Sequence, residues 1–90
     1  MNVVYLAGLL RVEAVKRVEG LSILMEAVVI DEKEGREYPM YLTGKQAELV
    51  IERNHAGSKH LPTVVVSGRL FNLDDRLVVL GKYIDFVSSD

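Results

Sequence analysis

The chain has 90 residues, which fits one small domain, and its 13 acidic and 11 basic side chains give a formal net charge of −2. Proteins that bind nucleic acid mainly by counterion release are usually basic, so this balance counts against strong phosphate binding unless basic side chains are gathered locally. The chain has no cysteine, which excludes a disulfide framework, a thiolate metal site and a cysteine nucleophile.

Hydrophobic residues make up 49% of the chain, more than a lone small domain can easily bury. This excess indicates association with copies of the chain or with a partner. No apolar run reaches the roughly 18 residues of a membrane span, and the first residues lack the basic-then-apolar order of a secretion signal. We therefore expect a cytoplasmic protein that does not enter a membrane.

The first half of the chain predicts three strands. Residues 2–14 are apolar and β-branched, with Gly8 among them, and predict a long strand with a bulge or sharp curl at the glycine. A turn over 15–20 leads to a second strand over 21–31, whose apolar residues recur with a period of two. A polar hairpin loop then precedes a third strand over 37–43.

A helix follows the third strand. Thr43 and Gln46 have the spacing of a capping box, with Thr43 as the N-cap. Ala47 and Val50 then fall on one helical face, and Gly57 offers a C-terminal stop.

Two further strands are predicted after the helix. They cover residues 63–72 and 76–87 and are joined by a tight turn at Asp74 and Asp75. Val64–Val66 are apolar on both strand faces, so we expect one face to fill an interior and the other to meet a subunit or the helix. Residues 1–87 then form a single domain, and 88–90 form a short polar tail.

The order β-β-β-α-β-β predicts an all-β fold with one helix. Five strands with a helix between the third and fourth is the arrangement of the OB-fold, a small Greek-key barrel. Gly8, Gly68 and Gly81 then mark points where long strands coil sharply around the barrel.

Four stretches resemble known families. "NVVYLAGLL" at 2–10, "YLTGKQAEL" at 41–49 and "VVVSGRL" at 64–70 resemble the first strand, the strand-to-helix junction and the fourth strand of bacterial single-stranded DNA-binding proteins. "YIDFVSSD" at 83–90 resembles the last strand and short tail of primosomal replication protein N, a relative of that family.

The resemblance implies a protein of replication or repair that binds single-stranded DNA, or RNA, without strong sequence preference. Bases would stack on aromatic side chains while Lys and Arg follow the phosphates, as in OB-fold grooves generally. It also implies a homodimer or homotetramer and contacts with other replication proteins of the primosome. We expect no cofactor and no metal ion.

We expect the nucleic acid to bind in a groove across the second, third and fourth strands. Lys45 occupies the Gly-Lys position of the resemblance, and Arg69 interrupts an apolar strand on the same side as Phe71. The candidate residues are Arg11, Lys16, Arg17, Arg36, Tyr38, Lys45, Arg69, Phe71 and Lys82. We expect the oligomer interface to contain Val3, Val4, Tyr5, Leu6 and Leu9, since the first strand often pairs subunits in the family. Within the apolar strands, Tyr5 and Phe86 are expected to serve as packing residues.

Two alternatives remain open. The acidic balance, the absence of tryptophan and the short acidic turn between the last two strands favour an OB-fold protein-interaction module with weak or no strand binding. A metal-dependent enzyme would require His55 and His60 to converge with carboxylates such as Glu52. No catalytic triad and no phosphate-binding loop is recognisable, so we do not expect an enzyme.

Overall fold

The computed structural model describes residues 3–17, 23–54 and 61–87. The elements are β1 Val4–Arg17, β2 Ile23–Ile30, β3 Glu37–Thr43, α1 Gly44–Asn54, β4 Thr63–Leu73 and β5 Arg76–Phe86. The strands close a barrel in the order β1-β2-β3-β5-β4, and only the pairing of β3 with β5 is parallel. This confirms the prediction of a five-stranded OB-fold barrel with its helix between β3 and β4.

The barrel interior is filled by every second side chain of the strands. The two outer valines of "VVV", Val64 and Val66, are fully buried, whereas Val65 between them points outward and is 37% exposed. On α1, Ala47 and Val50 are fully buried, and the helix packs against β2, β3 and β5. The other buried side chains of the core are those of Leu10, Ile23, Met25, Ala27, Val29, Met40, Leu42, Val79 and Ile84.

The long strand β1 is shared by two neighbours. Its first half pairs with β4 as far as Leu9, and from Leu9 onward it pairs with β2. Gly8 lies at this changeover, where a Cβ would overlap the carbonyl group of Ile30. The bulge falls between Val12 and Ala14 instead of at Gly8.

The predicted turn over 15–20 is wrong for its first part. Val15, Lys16 and Arg17 continue the strand and pair with β2, because the antiparallel ladder with Ile23–Met25 satisfies their backbone groups. The rest of the predicted turn lies outside the described residues.

The predicted capping box does not form. Thr43 is the last residue of β3, and the helix begins at Gly44, whose φ of 59° turns the chain out of the strand. The side-chain oxygen of Gln46 accepts a hydrogen bond of 2.9 Å from the backbone N–H of Ile84. Gln46 therefore ties α1 to β5 instead of capping its own helix, and Gly57 lies outside the described residues.

The predicted turn at Asp74 and Asp75 is confirmed. Both residues have positive φ, at 50° and 64°, which is the backbone of a two-residue type I′ hairpin. Within the described ranges, no helix is long and apolar enough to cross a membrane.

Candidate nucleic-acid interface

The outer surface of the barrel does not provide a groove across β2, β3 and β4, because β5 lies between β3 and β4. Across this surface Glu26 is paired with Tyr41, Tyr41 with Leu80, and Leu80 with Arg69. Opposed residues project from the same face of a sheet, so these four side chains form one row across four strands. The predicted groove across β2, β3 and β4 is therefore wrong in its strand order. A continuous outer surface runs over β2, β3, β5 and β4.

A depression of about 350 Å³ on the outer face of β1, β2 and β3 is acidic. Its lining includes Glu13, Glu26 and Glu37, with Tyr41 and Arg76 beside them. We call this surface the acidic groove. Its three carboxylates are paired with Arg11 and Lys16 beside the groove, so these cations are engaged and the groove offers no excess of positive charge to a phosphate.

Arg11 is held by two carboxylates next to the acidic groove. Its Nη2 lies 2.8 Å from Oε1 of Glu13 and 2.7 Å from Oε1 of Glu37. The hydrogen bonds that Arg11 donates to Glu13 and, second, to Glu37 raise the pKa of Arg11 above its ordinary value. The two carboxylates already neutralise the guanidinium charge and engage its Nε and Nη2, so Arg11 is poorly available for the phosphate contact that the sequence predicts.

Three other predicted cations are exposed on the surface. Arg36 is exposed in the loop after β2, with Nε 3.0 Å from Oε2 of Glu34. Lys16 and Arg17 are exposed near the end of β1, and Nζ of Lys16 lies 4.0 Å from Oε1 of Glu26. Whether they contact nucleic acid stays a prediction.

Tyr38 and Lys45 are separated by the length of β3. Tyr38 is 36% exposed near the start of the strand, about 17 Å from Thr43 at the usual strand rise of about 3.3 Å per residue. Lys45 is exposed in the first turn of α1, beside Glu48 and Glu52. These two residues do not form one site with each other.

A second depression, of about 300 Å³, lies on the outer face of β1, β4 and β5. Tyr5 is paired with Ser67, and Ser67 is paired with Tyr83, so the three side chains stand in a row on one face. Tyr5 is 73% exposed and Tyr83 is 58% exposed. We call this surface the tyrosine patch; it consists of Tyr5, Ser67, Arg69, Lys82 and Tyr83.

The tyrosine patch carries positive charge. No acidic side chain lines its depression, and neither Arg69 nor Lys82 forms an ion pair with another described residue. Lys82 is the extra residue of a bulge between the pairs Ser67–Tyr83 and Gly68–Gly81. Its Nζ lies 5.8 Å from the centre of the Tyr83 ring.

Of the predicted nucleic-acid residues, the structure brings together Arg69 and Lys82. Phe71 lies two residues beyond Arg69 on the same side of β4 and is 50% exposed. Tyr5 does not pack inside the barrel, because its side chain points outward, and its packing against another subunit stays a prediction. Phe86 does pack against the core, and the guanidinium of Arg53 lies 5.0 Å from its ring centre.

Sequence reasoning did not select Tyr83. Part of the pattern that indicates an outward Tyr83 is present in the sequence. The next residue, Ile84, is apolar and favours the interior, so its neighbour Tyr83 should face outward. The bulge at Lys82 shifts the register of β5, so simple alternation counted from Val79 misplaces the face of Tyr83.

The five predicted interface residues divide into two groups. Val4 and Leu6 are half-buried against the core, and Leu9 is half-buried between β4 and β2. Val3 and Tyr5 are exposed. Within the described residues, Val4–Gly8 pair with β4 only, so one edge of this part of β1 has no strand partner.

No group of three or more potential metal ligands is present in the part of the chain that the structure describes. His55 and His60 lie outside the described residues, so the convergence that a metal-dependent enzyme would require is untested.

Comparison with known proteins gives matches among solved structures. No protein-family model matches the chain, and no curated protein matches it. The dimeric N-terminal domain of the PriB protein from Thermoanaerobacter tencongensis has a TM-score of 0.57 and 18% identity over 98% of each chain. A small single-stranded DNA binding protein from Mycoplasma pneumoniae has a TM-score of 0.54 and 18% identity over 100% of this chain and 98% of that one.

At this level of identity the likeness establishes the fold. It confirms the OB-fold.

Proposed function

We propose that this protein binds single-stranded DNA without strong sequence preference, as an oligomer, through the tyrosine patch. The observation that carries the proposal is the juxtaposition of Tyr5 and Tyr83 with Arg69 and Lys82 in a depression whose lining holds no carboxylate. Exposed rings supply stacking surfaces, and unpaired cations supply phosphate contacts. This combination is the one that OB-fold proteins use to bind single strands.

In this proposal, phosphate binding depends on the local charge of the tyrosine patch and of the acidic groove more than on the net charge of −2. The cations beside the acidic groove are paired with its carboxylates, whereas the cations of the tyrosine patch form no ion pair with another described residue and attract a phosphate chain. The strand would cross β1, β4 and β5 and continue from Arg69 toward Phe71. Duplex DNA keeps its bases stacked and paired, so it offers no free base to the tyrosines.

The two structural neighbours support this function. One is named as a PriB domain and the other as a single-stranded DNA binding protein. An accessory role in replication or repair, in the cytoplasm and without catalysis, is part of the proposal.

The oligomer is supported by the dimeric state of the PriB domain and by the free edge of β1. Among the described residues, Val4–Gly8 pair on one side only, and an unpaired strand edge is a template for another chain. Pairing of two such edges would extend the sheet and leave the outward face of Tyr5 accessible.

A second candidate function is a protein-interaction module. The acidic groove favours it, because Glu13, Glu26 and Glu37 on a concave face suit a basic segment of a partner better than a nucleic acid.

Fluorescence anisotropy with labelled dT oligonucleotides of increasing length, at two salt concentrations, tests the proposal. We expect affinity to rise with length and to fall with salt, with unlabelled duplex a poor competitor. An RNA competitor of matched length determines the preference between DNA and RNA. Absence of binding even at low salt would rule out strand binding and leave the interaction module as the function.

A further inference from the structure

We infer that the tyrosine patch takes one unstacked base between Tyr5 and Tyr83, above Ser67, with the phosphate of that nucleotide at the end where Arg69 and Lys82 lie. The inference rests on the proposed function and specifies how the same surface holds its ligand. We call the space between the two rings the base slot.

The spacing of the strands suits one base. Tyr5 and Tyr83 are separated by one strand, β4, so their backbones are about 10 Å apart at the usual spacing of about 4.8 Å between strands. A base between two tyrosine rings makes one aromatic contact with each ring. At centroid distances of about 4.5–7 Å for each contact, the two rings must be about 9–14 Å apart. Side chains stand roughly perpendicular to a sheet, and they diverge on the convex outer face of a closed barrel, so the rings are at least as far apart as the backbones and a base has room between them.

Ser67 leaves the slot open. It is the residue between the two tyrosines, and its side chain is small and half-buried. Any large side chain at this position would stand between the rings and occupy the space of a base.

The charges at the two ends of the slot differ. Arg69 lies two residues after Ser67 on β4, and Lys82 lies one residue before Tyr83 on β5. Because the two strands are antiparallel, both cations lie at the same end of the slot. At the other end Val65 is paired with Asp85, which is exposed. A phosphate is therefore attracted to one end and repelled from the other, which orients the nucleotide in the slot.

The base slot favours single strands whose bases stack weakly on each other. A base must leave its neighbours to enter the slot, and bases in thymine tracts stack on each other more weakly than bases in adenine tracts. Preferences of this kind arise from stacking and backbone flexibility without hydrogen-bond readout. We expect oligo(dT) to bind more tightly than oligo(dA) of the same length.

The test uses intrinsic tyrosine fluorescence, because the chain has four tyrosines and no tryptophan. In the variant Tyr38→Phe/Tyr41→Phe the signal comes from Tyr5 and Tyr83 alone. We expect oligo(dT) to quench this signal, and an abasic deoxyribose-phosphate oligomer of equal length to bind weakly without quenching.

Substitution at Ser67 supplies the second arm. Ser67→Leu should weaken oligo(dT) binding about tenfold or more, since stacking is worth about 1–3 kcal/mol per base. The control Thr43→Leu places the same side chain at an exposed strand position outside the tyrosine patch and should bind like the parent protein. If oligo(dT) binds but neither quenches the signal nor distinguishes Ser67→Leu from Thr43→Leu, the slot is wrong and the strand-binding function stands. If Ser67→Leu does not fold, equal quenching by the abasic oligomer and oligo(dT) overturns the slot by itself. If no oligonucleotide binds the parent protein, the proposed function fails as well.

Discussion

Gly68 and Gly81 lie opposite each other across β4 and β5, and neither position has room for a side chain. A Cβ at Gly68 would overlap the carbonyl group of Leu80, and a Cβ at Gly81 would lie 2.5 Å from Cδ2 of Leu42 in the core. The close approach of the two strands occurs at the bulge that contains Lys82. The same backbone feature thus closes the barrel and places Lys82 on the side of Arg69.

Gly68→Ala is expected to destabilise the fold by about 1–3 kcal/mol, the usual range for overpacking. The atoms that the new methyl group would meet belong to the backbone of Leu80 and Gly81, which cannot move aside as a side chain can. Urea unfolding measures the change. Ser67→Ala is the neighbouring control and should stay within about 0.5 kcal/mol of the parent, as surface substitutions usually do. Equal unfolding midpoints for Gly68→Ala and the parent would contradict the close approach.

Arg69→Ala and Lys82→Ala should each lower the slope of log affinity against log salt by about one, since each removes one phosphate contact. Arg36→Ala is the matched control, because Arg36 is an exposed cation already paired with Glu34. Titration of a dT oligonucleotide at several salt concentrations gives the slopes. A change for Arg36→Ala equal to those for the other two variants would show that net charge, and not the tyrosine patch, determines binding.

Tyr83→Ala should cost about 1–3 kcal/mol of binding free energy through the loss of base stacking. Its ring is 58% exposed, so the thermal stability should change little. Tyr38→Ala removes a tyrosine that lies outside the tyrosine patch and should leave the affinity unchanged. Anisotropy titration of both variants measures the difference, and the opposite ranking would restore the role that the sequence predicts for Tyr38.

Asp74→Asn combined with Asp75→Gly should stabilise the protein by about 1 kcal/mol. Both aspartates have positive φ, a backbone conformation that favours glycine and asparagine and that Asn-Gly supplies in type I′ turns. Thermal unfolding measures the gain, with Asp85→Asn as a control for the loss of a carboxylate from a strand. An equal gain in the control would assign the effect to charge instead of to backbone strain.

The order of the elements could be predicted from the sequence because each apolar run is bounded by residues that favour turns. The details that differed depend on tertiary contacts. β1 continues to Arg17 because β2 is there to pair with it, and Gln46 turns away from the helix start because the N–H of Ile84 is within reach.

The site could be predicted only in part. Arg69 and Lys82 were detectable because a charge in an apolar strand is conspicuous. Tyr5 was not, because Val4, Tyr5 and Leu6 are all apolar or aromatic, so alternation in the sequence does not distinguish the outward residue from the inward ones. The ion pair between Arg11 and Glu37 could not be predicted. The two residues are 26 positions apart and meet only when β1, β2 and β3 assemble.

The most direct test of the central claim is an NMR titration of the isotope-labelled protein with a dT oligonucleotide, followed through backbone amide shifts. The account predicts that the largest shifts fall on β1, β4 and β5, at Tyr5, Ser67, Arg69, Lys82 and Tyr83. Shifts concentrated on Glu26, Val28 and Tyr41, with the tyrosine patch unchanged, would place the strand in the acidic groove and contradict it.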